Sequence, residues 1–82
     1  MERETIFSVI QAKAQEMKGN TATLTEESFI DYRGAGLNSV ELMTMIVFLE
    51  EYFDFESDDE RLDLEQLALL KDLVNMVEQF VD

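Results

Sequence analysis

Apolar residues recur at helical spacing in three stretches of this 82-residue chain, and no stretch shows the alternation of a competing strand. The three predicted helices run from Glu2 to Met17, from Asn38 or Ser39 to about Phe53, and from Leu70 to Val81. Leucines at positions 62, 64 and 67 indicate a short further helix near Asp63–Ala68. The pattern predicts an all-α fold, a small four-helix bundle of three longer helices and one short third helix.

Each longer helix has one apolar face, and the segments between the helices add a few apolar anchors. The predicted core positions are Ile6, Ile10, Ala14 and Met17 in the first helix, Leu42, Met45, Ile46, Leu49 and Phe53 in the second, and Leu70, Leu73, Val74, Val77 and Phe80 in the last. The long connection from Thr21 to Leu37 is predicted to be anchored by Leu24, Phe29 and Ile30. A short turn of helix is also predicted at Glu26–Ile30.

Composition excludes most kinds of chemistry. The chain has neither histidine nor cysteine, so catalytic triads, zinc sites and disulfides are excluded, and we expect neither a metal site nor an enzyme. Its 19 acidic and 6 basic residues give a net charge of -13, which repels nucleic acid and suits partners with basic docking patches. The sequence has no membrane-spanning run and no signal peptide, so we expect a monomeric cytoplasmic protein.

Ser39 stands at the predicted start of the second helix, after a long connection that contains Gly34 and Gly36. Asn38 is a predicted N-cap, and Glu41 three residues later completes a pattern like a capping box. A phosphate is favoured at such a position by the N–H groups and the positive dipole end of the helix. From these residues alone, Ser39 is either an ordinary first-turn residue or a site of attachment.

The stretches Gly36-Leu37-Asn38-Ser39-Val40-Glu41-Leu42 and Phe48-Leu49-Glu50-Glu51-Tyr52-Phe53 resemble the acyl carrier protein family. The family motif has a serine with a leucine ten residues later, followed by an acidic pair and an aromatic residue, as Ser39 and Leu49 have here. The resemblance extends over residues 1–82 as a single acyl carrier domain. It implies that a phosphopantetheinyl transferase attaches 4'-phosphopantetheine from coenzyme A to Ser39, and that the arm then carries a thioester.

Asn38 departs from the family, which usually has aspartate before the serine. Asparagine keeps the cap and loses the charge, so we expect slower modification or a specialised transferase. The family also implies that the second helix docks on basic patches of acyl-loading and synthase enzymes. By position, the partner-binding residues are Val40, Glu41, Met43, Val47, Glu50 and Glu51, although Met43 is equally well interpreted as a core residue.

The cargo remains open at this point. Acyl groups of fatty-acid or polyketide-type synthesis are one interpretation, amino acids of nonribosomal peptide synthesis or D-alanine transfer a second, and an unmodified acidic helical adaptor a third. The family implies an apolar cargo pocket lined by Leu42, Met45, Ile46, Leu67 and Val74. An EF-hand starting at Asp54 is disfavoured because Asp59 occupies the position that demands glycine.

Overall fold

Three helices account for most of the residues that the computed structural model describes, which are residues 2–19, 23–56 and 66–81. Helix α1 spans Arg3–Lys18, α2 spans Ser39–Phe53 and α3 spans Leu70–Phe80. These bounds agree with the three longer predicted helices to within one residue at each end. The predicted all-helical architecture is therefore confirmed for the described ranges.

The fourth, short helix is not confirmed. Much of its predicted range, Asp63–Ala68, lies outside the described residues. Within the described part, Gln66 is in a 3-10 conformation, and Leu67 and Ala68 are not helical. Residues 57–61 of the preceding acidic connection also lie outside the described ranges, so the structure describes a three-helix arrangement.

The core lies between the apolar faces of the three helices, and α1 packs more extensively on α3 than on α2. Nearly all predicted core positions are buried, while Met17 and Phe80 are half-buried at its edge. Burial of each large aliphatic side chain contributes about 1.5–3 kcal/mol. The sequence missed four buried residues, which are Ala35, Leu37, Phe55 and Met76. The first three lie outside the helices, where no periodicity marks an inward position.

The connection between α1 and α2 pairs with the segment ahead of α3 and does not form the predicted helical turn at Glu26–Ile30. Phe29 and Leu69 form an isolated antiparallel bridge. The N–H of Ile30 donates to the carbonyl of Ala68, and the N–H of Leu70 donates to the carbonyl of Ser28, both at 2.9 Å. Because these backbone groups find partners across the fold, the segment needs no helix to satisfy them.

The same connection is held from outside by charged side chains. Arg3 of α1 forms ion pairs with Glu26 in the connection and with Glu78 in α3. Its guanidinium also donates to the side-chain oxygen of Asn75 at 2.6 Å. Arg3 therefore joins three parts of the chain that are far apart in sequence.

All three helices carry charged residues along their length. Among the described residues, no helix has the length and apolar character needed to cross a bilayer.

Candidate functional site

A tight loop leads the chain into α2. The N–H of Ala35 donates to the carbonyl of Phe29 at 2.7 Å, and the N–H of Leu37 donates to the carbonyl of Ile30 at 2.9 Å. A β-carbon on Gly34 would lie 2.2 Å from the carbonyl oxygen of Phe29, so this close approach requires glycine. The loop therefore closes through direct backbone contacts just before Ser39.

Gly36 turns the chain just before the helix. Its φ of 82° lies in the left-handed region, which glycine adopts without the cost that a β-carbon brings. The N–H groups of Gly34 and Gly36 both donate to the carbonyl of Asp31, at 2.9 and 2.8 Å. Both positions of this turn thus favour glycine, for two different steric reasons.

The predicted capping box at the start of α2 is present. The side-chain oxygen of Asn38 accepts a hydrogen bond from the N–H of Glu41 at 2.8 Å. The carboxylate of Glu41 accepts one from the N–H of Asn38 at 3.0 Å. Such a pair satisfies two donors that a helix start otherwise leaves without partners. Asparagine therefore caps this helix without adding a negative charge.

A lysine from α1 reaches the same box. The Nζ of Lys18 lies 3.0 Å from each carboxylate oxygen of Glu41. The hydrogen bond from the Asn38 N–H, and then the Lys18 ammonium, hold the pKa of Glu41 below its usual value. Position 36 carries no side chain, and a β-carbon there would lie 3.6 Å from Cε of Lys18. The carboxylate nearest the start of α2 is thus already paired within the chain.

Ser39 is the first residue of α2 and is exposed. The N–H groups of Ser39 and Val40 have no acceptor within the helix, whereas the N–H of Glu41 donates to Asn38, and the helix dipole places partial positive charge there. The neighbouring side chains are an uncharged asparagine and a glutamate that a lysine neutralises. This donor set fits a singly charged phosphodiester on the serine oxygen, because no unpaired anion of the capping box opposes it.

The outward face of α2 carries an apolar stripe in line with the start of the helix. Val40 is 75% exposed, Met43 41% and Val47 47%. Their spacing of three and four residues places them on one side of the helix. The interpretation of Met43 as a core residue is therefore wrong, because the core side of this turn is filled by Leu42 and Met45.

The acids predicted beside this stripe differ in their surroundings. Glu51 is exposed and Glu50 is half-buried. Glu41 is half-buried and engaged with Asn38 and Lys18. Glu41 thus stands at the beginning of α2, whereas Glu50 and Glu51 stand near its end.

The positions expected to line a cargo pocket belong to the interior. Leu42, Met45, Ile46 and Val74 are buried, and Leu67 is half-buried. Within the described ranges, no group of three or more acidic side chains is placed to hold a metal ion. Asp58, Asp59 and Glu65 of the disfavoured EF-hand pattern lie outside those ranges.

Sequence reasoning missed Lys18 as a residue of this site. In the sequence it marks only the end of a helix, 23 residues before Glu41. Tyr32 in the loop and Tyr52 on α2 are also exposed. Nothing in the sequence around Lys18, a base just before a glycine, indicates that it pairs with Glu41.

Comparison with known proteins relates most of the chain to a curated protein. The chain is 36% identical over 74 residues to a protein named acyl carrier protein from Exiguobacterium sp. (strain ATCC BAA-1283 / AT1b), and the match covers 89% of each chain. No family model matches the sequence. No solved structure matches it either.

Proposed function

This chain belongs to the acyl carrier protein family, and from that premise we propose that Ser39 carries a 4'-phosphopantetheine arm. The arm holds acyl groups as thioesters for fatty-acid or polyketide-type synthesis. Proteins of this family are non-enzymatic carriers, and the absence of cysteine means that the reactive thiol has to come with the arm. We propose that residues 1–82 act as a single carrier domain.

The observation that carries the proposal is the position of Ser39. An exposed serine begins α2, beside a capping box whose only carboxylate is paired with Lys18. A phosphodiester on its oxygen would meet the positive end of the helix dipole and the N–H groups of the first turn. Asn38 holds the end of the helix through the Glu41 N–H and adds no charge that repels the phosphate.

The outward face of α2 supports a role in docking. Val40, Met43 and Val47 form an exposed apolar stripe that starts next to Ser39. Glu50 and Glu51 stand at its far end, in a chain whose net charge is -13. We propose that this face binds the transferase and the acyl-loading and synthase enzymes, with apolar contacts at the centre and basic residues of the partner at the rim.

Intact mass measurement tests the attachment. Purified protein is incubated with coenzyme A and a broad-specificity phosphopantetheinyl transferase, and a mass increase of one phosphopantetheine is expected. Ser39→Ala abolishes the increase, whereas the control Ser8→Ala, at an exposed position of α1, retains it. An unchanged wild-type mass with several transferases would favour the unmodified acidic adaptor.

Loading of the modified protein tests the cargo. We expect a malonyl transferase or an acyl ligase to form a thioester on the arm. Loading by an amino-acid adenylating enzyme alone would instead identify an aminoacyl carrier. Both outcomes are read from the mass of the loaded protein before and after cleavage of the thioester with hydroxylamine.

A further inference from the structure

We propose that Lys18 lowers the affinity of this carrier for its transferase by occupying the carboxylate of Glu41. A basic side chain of the transferase that docks at the start of α2 has to displace Lys18 before it can pair with this acid. The inference deepens the proposed function and rests on it. It assigns a role to a residue of α1 that lies outside the predicted docking face.

The geometry makes Lys18 a direct competitor for Glu41. Its Nζ contacts both carboxylate oxygens at 3.0 Å, so both are engaged in the free protein. One of them, Oε1, also accepts the N–H of Asn38 at 3.0 Å, which holds the carboxylate against the start of the helix. An incoming cation can take the place of Lys18, but it cannot move the carboxylate away from Ser39 without breaking the cap.

The pair is accessible enough for such an exchange. The side chain of Lys18 is 33% exposed and that of Glu41 is 23% exposed. An ion pair at a partly exposed site is worth only about 0.2–1 kcal/mol, because water and salt screen it. A partner can therefore displace Lys18, while the cost of displacement still reduces its affinity.

The other short ion pairs of the described residues lack this relation to Ser39. Arg33 pairs with Asp31 within the loop, and Lys71 pairs with Glu27 across the connection. Lys71 offers a matched control, because Lys71→Gln removes one positive charge and one exposed ion pair, as Lys18→Gln does. Both variants have the same net charge, so any effect of net charge on the affinity for a basic partner is the same in both.

The test is steady-state kinetics of phosphopantetheine transfer from coenzyme A, with the full chain as the varied substrate. We expect Lys18→Gln to lower KM by about two- to fivefold, the equivalent of one weak ion pair, because a base of the transferase no longer has to displace Lys18 from Glu41. The KM of Lys18→Gln should also rise more steeply with salt than that of wild type. Its complex adds an ion pair at Glu41, whereas the wild-type complex only exchanges the Lys18–Glu41 pair for another. Lys18→Arg should have the KM of wild type. The KM of Lys71→Gln should lie closer to the wild-type value than the KM of Lys18→Gln does.

Stability measurements separate this role from a structural one. Lys18→Gln loses an internal ion pair, so its free energy of unfolding should fall while its affinity for the transferase rises. A merely structural lysine would give a variant that is both less stable and a poorer substrate. Equal KM values for Lys18→Gln and Lys71→Gln, or a higher KM for Lys18→Gln, would overturn the inference and leave the proposed attachment intact. A wild-type protein that no transferase modifies would overturn both.

Discussion

Gly34 passes so close to Phe29 that a β-carbon at position 34 would lie 2.2 Å from the carbonyl oxygen of Phe29. The same carbonyl accepts the N–H of Ala35 at 2.7 Å, so the two arms of the loop touch through their backbones. Ser39 follows five residues later, and its direction depends on this contact.

Gly34→Ala should destabilise the protein by about 3 kcal/mol, because backbone atoms would have to move apart to admit the methyl group. Gly19→Ala is the matched control. Position 19 has a φ of 63°, and a β-carbon there would meet no atom within 4 Å, so only the left-handed conformation is penalised, by about 1 kcal/mol. Urea unfolding measures both, and an equal loss for the two variants would contradict the close approach.

Glu41 should make the stability of the protein depend on pH. Its pKa in the folded protein is lowered by the Asn38 N–H and by Lys18. A lowered pKa means that the stabilisation is complete above the unfolded value, roughly 4.3, and is lost as the pH falls through the folded value. Wild type should therefore exceed Glu41→Gln in unfolding free energy at pH 7, and the difference should shrink below about pH 5.

The comparison between these two proteins isolates Glu41 from the other acids. Protonation of the remaining carboxylates relieves repulsion in both to a similar extent, so it cancels in the difference. Unfolding curves at several values between pH 7 and pH 3 provide the measurement. A difference that stays constant over this range would show that Glu41 is not coupled to the fold in its charged form.

Val47 should matter for binding and not for folding. Val47→Gln is expected to change the free energy of unfolding by less than about 0.5 kcal/mol, since Val47 is 47% exposed and lies outside the core. Its KM in the transferase reaction should rise about two- to fivefold if the apolar stripe docks on the enzyme. The neighbouring core variant Ile46→Ala should instead lose about 2–5 kcal/mol of stability. A Val47→Gln variant with an unchanged KM would remove this residue from the docking face.

Arg3 should stabilise the fold more than an ordinary surface base. It pairs with Glu26 and Glu78 and donates to Asn75, whereas Lys71 pairs with a single exposed acid, Glu27, among the described residues. We expect Arg3→Gln to lower the melting temperature more than Lys71→Gln does, with the gap narrowing in high salt as the charges are screened. Equal melting temperatures for the two variants at low salt would show that the network adds nothing beyond a single pair.

Features that depend on nearby residues were predicted correctly from the sequence. The bounds of α1, α2 and α3 follow from apolar spacing, and the capping box of Asn38 and Glu41 follows from two residues three positions apart. The predicted turn of helix at Glu26–Ile30 was wrong. The backbone groups of this segment pair with residues 68–71, and the local sequence pattern does not indicate that distant partner.

The sequence by itself determined that this chain is helical, that it has no thiol of its own, and that Ser39 begins a capped helix. These conclusions depend on composition and on contacts within one helical turn, which spacing along the chain specifies. Only the tertiary structure decided that Met43 faces outward and that Lys18 pairs with Glu41 from 23 residues away. Both depend on how α1 and α2 pack against each other, and that packing is set by the whole core.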